Sequence, residues 1–366
     1  MGIACATAGA QPAPVTFDAD QVRRIASLGP WPPARPVDPS NRVSGHADAI
    51  KLGERLFNDK ALSASGTIAC SSCHRADLAF TDGVARSQGM ARGDRNTPSL
   101  LDLAGVRWYG WDGAQDSLWS QSLRPMIDAR EMGGSVAHVA AHVRGDASLR
   151  SDYRRAFKRE PPRHDETLAV DAAKAIASYV ETLASPRSTF DEFRDALLRG
   201  DNAAMAAYPV LAQRGLAIFV GSGKCTTCHA GPRMSNGEFH DVGIPYFAEP
   251  GRVDPGRHGG IRKLQASRYN LLGAYNDDAQ RRTAQSTRHV VLDHRNYGEF
   301  KVPSLRGVSR TAPYMHDGTL ATLREVVRHY SNFDLERQHA DGERILAPLG
   351  LDKYDVDALV AFLETL

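Results

Sequence analysis

Two stretches of the chain have the apolar spacing of an amphipathic helix, and each stands just before a cysteine-rich motif. The first begins at Ala47, and its isoleucine, leucine and phenylalanine residues over 50–57 fall on one helical face. The second has its own apolar residues, leucine, isoleucine and phenylalanine, over 211–219. The pattern predicts one helix ahead of each motif.

The ends of the two halves also repeat. Residues 175–183 read AIASYVETL and residues 358–366 read ALVAFLETL. Self-similarity over this distance indicates a duplicated unit of domain size. A further helix is predicted over 190–198, and strands are expected only as short pieces such as 289–292.

Composition narrows the class of protein. The 366 residues are 42% hydrophobic, which is enough for a large core, and no apolar run is long enough for a transmembrane helix. With 45 basic and 43 acidic residues the net charge is +2, so nothing favours nucleic acid as a partner. The 5 cysteines are an odd number, which excludes a fully paired disulfide framework.

Four of the cysteines form two copies of one motif, Cys-x-x-Cys-His. The copies are Cys70, Cys73 and His74, and Cys225, Cys228 and His229. This is the attachment motif of c-type haem, in which two thiols bind the porphyrin and the histidine binds iron. A zinc ribbon would place its second pair about 15–20 residues on, and a thioredoxin-like motif would sit among alternating strands and helices.

Two covalent haems predict an exported, periplasmic protein, because haem c is assembled outside the cytoplasm. Residues 1–10 resemble the tail of a signal peptide. Cys5 is therefore expected to lie in a leader remnant, with a lipid anchor as the less favoured alternative.

The expected fold is all-α, with two cytochrome c-like domains that each carry one covalent haem c and have long irregular loops. Residues 1–45 are expected to form the leader remnant and an extended, proline-rich arm. The first domain would cover 46–200 and the second 201–366.

The sequence resembles the bacterial di-haem cytochrome c peroxidase and MauG family over nearly the whole chain after the arm. The landmarks occur in order: LGERLF at 52–57, RNTP at 95–98, WDG at 111–113, FKVPSLR at 300–306 and TAPYMHDG at 311–318. The set is specific, although each landmark alone would be weak.

The resemblance implies different surroundings for the two haems. Peroxidases of the family supply a histidine after the first motif, but residues 75–100 contain none, and Met90 is the one soft ligand there. We therefore expect an open, peroxide-reactive first haem, as in MauG. At the second haem Tyr330 stands where peroxidases have methionine; Met315, Met234 and His329 are the alternative ligands.

The resemblance also assigns roles around the haems. Glu131 matches the distal glutamate that moves a proton during O–O cleavage, Gln121 and Pro125 match other distal positions, and Trp111 matches a tryptophan between the haems. Arg95 and His316 are expected beside the cofactors. A calcium ion between the haems would use Asn96, Thr311 and Pro313.

The expected function is that of a peroxide-activated, MauG-like di-haem oxidoreductase that oxidises a substrate or partner protein by long-range electron transfer. Its partners would be hydrogen peroxide and a redox or substrate protein, such as a cytochrome c or a cupredoxin. One alternative is a cytochrome c peroxidase with a small redox protein as donor. The other is a non-catalytic di-haem electron carrier, in which both haems would be six-coordinate.

Overall fold

The structure, a computed structural model, describes residues 13–245, 247–249 and 251–366, so the expected leader remnant and Cys5 lie outside it. The chain is helix-rich. The helices are α1 (Ala19–Ser27), α2 (Ala47–Phe57), α3 (Cys70–Cys73), α4 (Leu118–Ile127), α5 (Val136–Gly145), α6 (Ala147–Phe157), α7 (Asp165–Val180), α8 (Thr189–Arg199), α9 (Asn202–Ala206), α10 (Val210–Val220), α11 (Gly256–Ala266), α12 (Gln285–Arg288), α13 (Leu323–Ser331) and α14 (Lys353–Leu363). None of the described helices combines the length and hydropathy needed to span a bilayer.

Four short strands form two antiparallel ribbons. The strands are β1 (Phe239–His240), β2 (Phe247–Glu249), β3 (Arg252–Val253) and β4 (Phe300–Lys301). β1 pairs with β4, and β2 pairs with β3. The strand piece expected over 289–292 is wrong: α12 ends at Arg288, and 289–292 is an exposed or half-exposed loop.

Two helix crossings of the same kind involve the segments that repeat in the sequence. α2 packs against α7 in the first half, and α10 packs against α14 in the second. At the crossings, a Cβ added to Gly53 would overlap the carbonyl of Ala175, and one added to Gly215 would overlap that of Ala358. Glycine therefore sets how closely each pair of helices approaches, and the helix predicted ahead of each motif is confirmed.

The buried apolar residues form two clusters. The first contains residues of α2, α4, α5, α6 and α7, and the second contains residues of α10, α13 and α14. The clusters do not follow the sequence order strictly. Leu271 and Ala284 pack in the first cluster, whereas α1 and α8 contribute Ile25 and Phe190 to the second. The domain boundaries at 45 and 200 stay a prediction.

Helix α1 lies in the segment expected to be an extended arm. Asp18 accepts a hydrogen bond from the backbone N–H of Gln21, and the Gln21 side chain accepts one from the backbone of Asp18, which is a complete capping box. Ile25 and Leu28 are fully buried against the second cluster. The proline-rich composition around this short helix obscured its amphipathic pattern.

A buried carboxyl group ends α7. Glu181 caps the helix, and its Oε2 accepts a hydrogen bond of 2.7 Å from the hydroxyl of Ser44. Burial raises the pKa of Glu181 to about 7, and the nearby carboxylate of Asp38 adds to the rise. This group is therefore half protonated near neutral pH in the folded chain.

Candidate active site

The two motif histidines have the same local geometry. Nδ1 of His74 lies 3.0 Å from the carbonyl oxygen of Phe80, and Nδ1 of His229 lies 3.0 Å from that of Met234. Since a carbonyl can only accept, each Nδ1 carries the proton and each Nε2 keeps its lone pair. Burial lowers the pKa of both imidazoles, to about 4 for His229, so both are neutral at pH 7 and have the form that can bind a metal.

The four motif cysteines form no disulfides and line the same cavity as these histidines. Burial raises the thiol pKa to about 12 in Cys70 and Cys225 and to about 11 in Cys73. The cavity measures about 1290 Å³ and runs without interruption between the two motifs. Single ligand pockets measure roughly 300–1,000 Å³, so both its size and its paired Cys-Cys-His sets fit two haems.

Three basic side chains of the cavity wall add to this fit. Arg95 is ion-paired with Asp112 and Asp254, at 2.8 and 2.7 Å. Burial lowers the pKa of Lys301 to about 8, and its Nζ donates to the carbonyl of Trp108 at 2.9 Å. The buried Nε2 of His240 has no hydrogen-bond partner among the described residues. Such donors suit the acidic propionates of haem.

Lys301 and His240 were missed as site residues in the sequence. Lys301 stands inside the landmark FKVPSLR, so a signal for it was present. His240 belongs to no landmark, and only its pairing with Phe300 across the β1–β4 ribbon places it at the cavity.

Trp111 is fixed where the two halves meet. Its indole Nε1 donates to the carbonyl of Asn96 at 2.8 Å, and its own carbonyl accepts from the backbone N–H of Lys301 at 2.8 Å. The backbone N–H of Asn96 in turn donates to the carbonyl of His316, whose ring stacks on Phe300 at 3.5 Å. The expected inter-haem tryptophan therefore lies in a wall built by both halves.

The expected distal residues lie together in the part of the cavity near the first motif. Gln121 and Pro125 belong to α4, and Glu131 follows that helix; all three line the cavity. Oε1 of Glu131 lies 2.5 Å from Nη2 of Arg124. The charge of Glu131 also contributes to the raised pKa values of Cys70 and Cys73, which places its carboxylate near the first motif.

Met90 does not reach this side of the cavity. Its side chain is 46% exposed, and its backbone N–H donates to the carbonyl of Glu131. Its neighbours Gly89 and Ala91 line the cavity, but Met90 does not. The one soft ligand among residues 75–100 therefore does not line the cavity beside Glu131, and the open first haem stays a prediction.

The candidate ligands of the second haem differ in whether they line the cavity that holds His229. Tyr330 lines the cavity with His229, and burial raises the pKa of its phenol. Nε2 of His329 is bonded to the carbonyl of Val242 at 2.7 Å, and Met234 is fully buried in the second cluster. Met315 also lines the cavity and stays the alternative to Tyr330.

The three expected calcium ligands, Asn96, Thr311 and Pro313, line the same cavity. The carbonyl of Asn96 already accepts from Trp111, and its Nδ2 donates to the carbonyl of Val84 at 2.9 Å. The side-chain oxygen of Asn96 is therefore left to bind an ion. The calcium site itself stays a prediction.

Comparison with known proteins agrees with this geometry. The family model described as di-haem cytochrome c peroxidase matches residues 47–202. The chain is 32% identical to the methylamine utilization protein MauG of Methylorubrum extorquens, with 100% of this chain and 88% of that protein covered. The chain belongs to the di-haem cytochrome c peroxidase family.

Other members resemble the chain to a similar degree. The cytochrome c551 peroxidase of Nitrosomonas europaea is 30% identical, with 93% of this chain and 87% of that protein covered. A crystal structure of a MauG-like protein associated with microbial copper homeostasis is 28% identical with a TM-score of 0.69, and 92% and 95% of the two chains are covered. The di-haem peroxidase of Burkholderia thailandensis, 22% identical with a TM-score of 0.71 over 90% of this chain and 88% of its own, shares the fold.

Membership establishes the general chemistry. The protein is a di-haem, peroxide-dependent oxidoreductase, with two haem c groups as the family implies. A non-catalytic electron carrier does not fit these relatives.

Proposed function

We propose that the protein is a MauG-type enzyme, which uses peroxide to oxidise a partner protein by long-range electron transfer. The observation that carries the proposal is Tyr330, which α13 presents to the same cavity as His229. A phenolate oxygen stabilises ferric and higher oxidation states of iron, whereas a thioether favours ferrous iron. A tyrosine at this position therefore suits an enzyme that holds oxidising equivalents until its substrate arrives.

Glu131 would act as the proton carrier at the first pocket. When bound, the haems supply the redox-active iron at which peroxide accepts two electrons. The Glu131 carboxylate takes the proton of one peroxide oxygen and returns it to the departing oxygen, so that peroxide, two electrons and two protons give two waters. Arg124 holds the carboxylate in place through its 2.5 Å ion pair, and Gln121 and Pro125 shape the surrounding wall.

Trp111 would provide the electron path between the pockets. Its ring is held by Asn96 of the first half, and its backbone by Lys301 of the second. An oxidisable indole in this shared wall shortens each tunnelling step. Arg95 and His316 would fix the positions of the cofactors relative to Trp111. Ca²⁺ bound by Asn96, Thr311 and Pro313 would stabilise the same wall.

The remaining proposals concern organisation. Each half would carry one covalent haem, as a peroxide-reactive domain over 46–200 and an electron-transfer domain over 201–366. Covalent haem c also supports a periplasmic location. The partner would be an electron-donor or substrate protein, such as a cytochrome c or a cupredoxin, that docks at the surface.

The test is the Tyr330→Phe variant, with Tyr314→Phe as its matched control. Both tyrosines line the cavity, but the hydroxyl of Tyr314 is already bonded to the carbonyl of Val308 at 3.1 Å. We expect Tyr330→Phe to change the electronic and EPR spectra of the second haem, while Tyr314→Phe leaves them as in the parent. An unchanged second-haem spectrum in Tyr330→Phe would show that another residue, such as Met315, is the ligand.

A cytochrome c peroxidase is the second candidate, because peroxidases are among the relatives of similar identity. It would turn over rapidly with peroxide and a reduced small cytochrome c in a steady-state assay. A MauG-type enzyme would turn over slowly with that donor.

A further inference from the structure

A group of side chains at the protein surface is not used by the proposed chemistry. One imidazole nitrogen of His294, one of His339 and a carboxylate oxygen of Asp341 all lie within 4.8 Å of one another. Nδ1 of His294 is already 2.8 Å from Oδ2 of Asp341. Two imidazoles and one carboxylate are a donor set for divalent transition metals.

The group is assembled from two separate segments. His294 begins a single 3-10 turn, His294–Asn296, whose preceding residue Asp293 caps it. His339 and Asp341 belong to the loop that follows α13 and the 3-10 turn Leu335–Arg337. A metal ion bound here would therefore tie the loop to the turn.

The aromatic ring of Tyr297 packs against the two imidazoles of the group. The ring of Tyr297 stacks on that of His258 at 4.0 Å and runs nearly parallel to that of His339 at 6.0 Å. The rings of His294 and His339 lie 5.0 Å apart at a steep angle. Because the rings are packed, part of the ordering cost of binding is already met in the free protein.

The buried carboxylate and the backbone carbonyl of Asp241 hold the loop that carries His339. Oδ2 of Asp241 accepts the backbone N–H of His339 at 2.7 Å, and the backbone carbonyl of Asp241 accepts the Gln338 side chain at 3.1 Å. On the outside, Glu343 pairs with Arg295 at 3.3 Å and links the same two segments. These hydrogen bonds and this ion pair hold the backbone around the three ligand residues in place, although the side chains of His294 and Asp341 are exposed to solvent.

We propose that His294, His339 and Asp341 bind one divalent transition-metal ion, which clamps the loop 338–349 over the second haem pocket. With metal–ligand bonds of roughly 2.0–2.2 Å, the His294 and Asp341 donor atoms, 2.8 Å apart, are already close enough to share one ion, and the His339 donor, within 4.8 Å of both, would move towards them. Among first-row ions Cu²⁺ binds most tightly to such a set, with water completing its coordination. The loop then runs to residues 345–349, which line the cavity, and the backbone N–H of Leu349 donates to the carbonyl of Tyr330.

Binding is tested on the purified holoprotein with Cu²⁺ for EPR and Zn²⁺ for calorimetry. We expect one Cu²⁺ per chain, with a signal split by imidazole nitrogens, and at least tenfold weaker binding of both ions in His294→Ala and His339→Ala. His289→Ala is the matched control, because His289 is an exposed histidine outside the group. Equal binding in all three variants, or a Cu²⁺ signal without nitrogen splitting, would overturn the site.

The clamp has a separate readout in limited proteolysis. Arg337 and Arg344 flank the ligand residues His339 and Asp341 and are both exposed, so trypsin can cut on either side of them. Saturating Zn²⁺ should slow these two cuts severalfold in the parent and not in His339→Ala, while other trypsin sites keep their rates. Equal cleavage with and without Zn²⁺ in the parent would show that the ion does not hold the loop.

Discussion

At the scale of single residues, Glu131 is distinguished from other surface acids by its position between Arg124 and the first haem motif. Its neighbour Asp128 pairs with the same arginine at 3.3 Å. The two carboxylates therefore share a partner, but only Glu131 is assigned a proton to carry. This makes Asp128 a natural comparison.

We expect Glu131→Gln to slow the reaction with peroxide by about 100-fold or more, because general acid–base groups contribute roughly 10²–10⁴-fold. Stopped-flow spectroscopy of the ferric protein mixed with peroxide measures this rate. Asp128→Asn also removes one carboxylate from Arg124 and should stay within a fewfold of the parent. Equal losses in the two variants would mean that Glu131 acts through the charge balance around Arg124 and carries no proton.

How far the sequence predicts a site residue depends on how local its signal is. The haem cysteines and histidines lie in a five-residue motif, and the structure gathers both copies around one cavity. His240, in contrast, reaches the cavity only through a two-residue ribbon with β4. The ligand group His294, His339 and Asp341 joins segments over 40 residues apart, and no local pattern announces such a meeting.

At the scale of secondary-structure elements, periodicity identified α2, α8 and α10 because each has a face that must be buried. It missed α1, whose nine residues lie in a proline-rich segment, and it could not locate the ribbons, whose strands have only two or three residues. Alternation cannot be read in so few positions. These elements form because the packed helices and the caps around them hold the chain in place.

The glycine at each helix crossing gives a prediction. Gly53→Ala and Gly215→Ala should each lower the free energy of unfolding by about 1–3 kcal/mol, because an added methyl group overlaps a backbone carbonyl that cannot rotate away. Denaturant unfolding followed by circular dichroism measures the change. Gly145→Ala is the control, since a Cβ there meets nothing within 4 Å. If all three variants were equally stable, the close approach would not constrain the crossings.

The end of α7 predicts a pH dependence. The pKa of Glu181 rises from 4.5 to about 7 on folding, so between these values the folded chain binds more protons than the unfolded chain and stability falls as pH rises. Glu181→Gln keeps a hydrogen-bond acceptor for Ser44 but cannot ionise. Relative to the parent, it should gain about 2 kcal/mol of stability between pH 5 and pH 8. Urea unfolding at both pH values measures this; a constant difference between the two proteins would contradict the raised pKa.

At the scale of the whole molecule, two cofactors are expected to share one cavity, with one attachment motif in each half. Replacing both Cys70 and Cys73 by serine should leave a chain with one covalent haem, and the same change at Cys225 and Cys228 should remove the other. Intact mass spectrometry counts the haems directly. Ser71→Ala, inside the first motif but not at a cysteine, should keep two. Retention of two haems in either double variant would refute covalent attachment at that motif.

Each apolar cluster contains residues from the other half of the sequence. This determines how the protein would behave if it were expressed as two separate fragments. A fragment ending at residue 200 would carry Ile25 and Phe190 without the core that they cover, and it would lack Leu271 and Ala284 from its own. The complementary fragment would have the opposite defects. The two pieces should therefore be recovered as a co-expressed, reconstituted pair rather than as independent single-haem cytochromes.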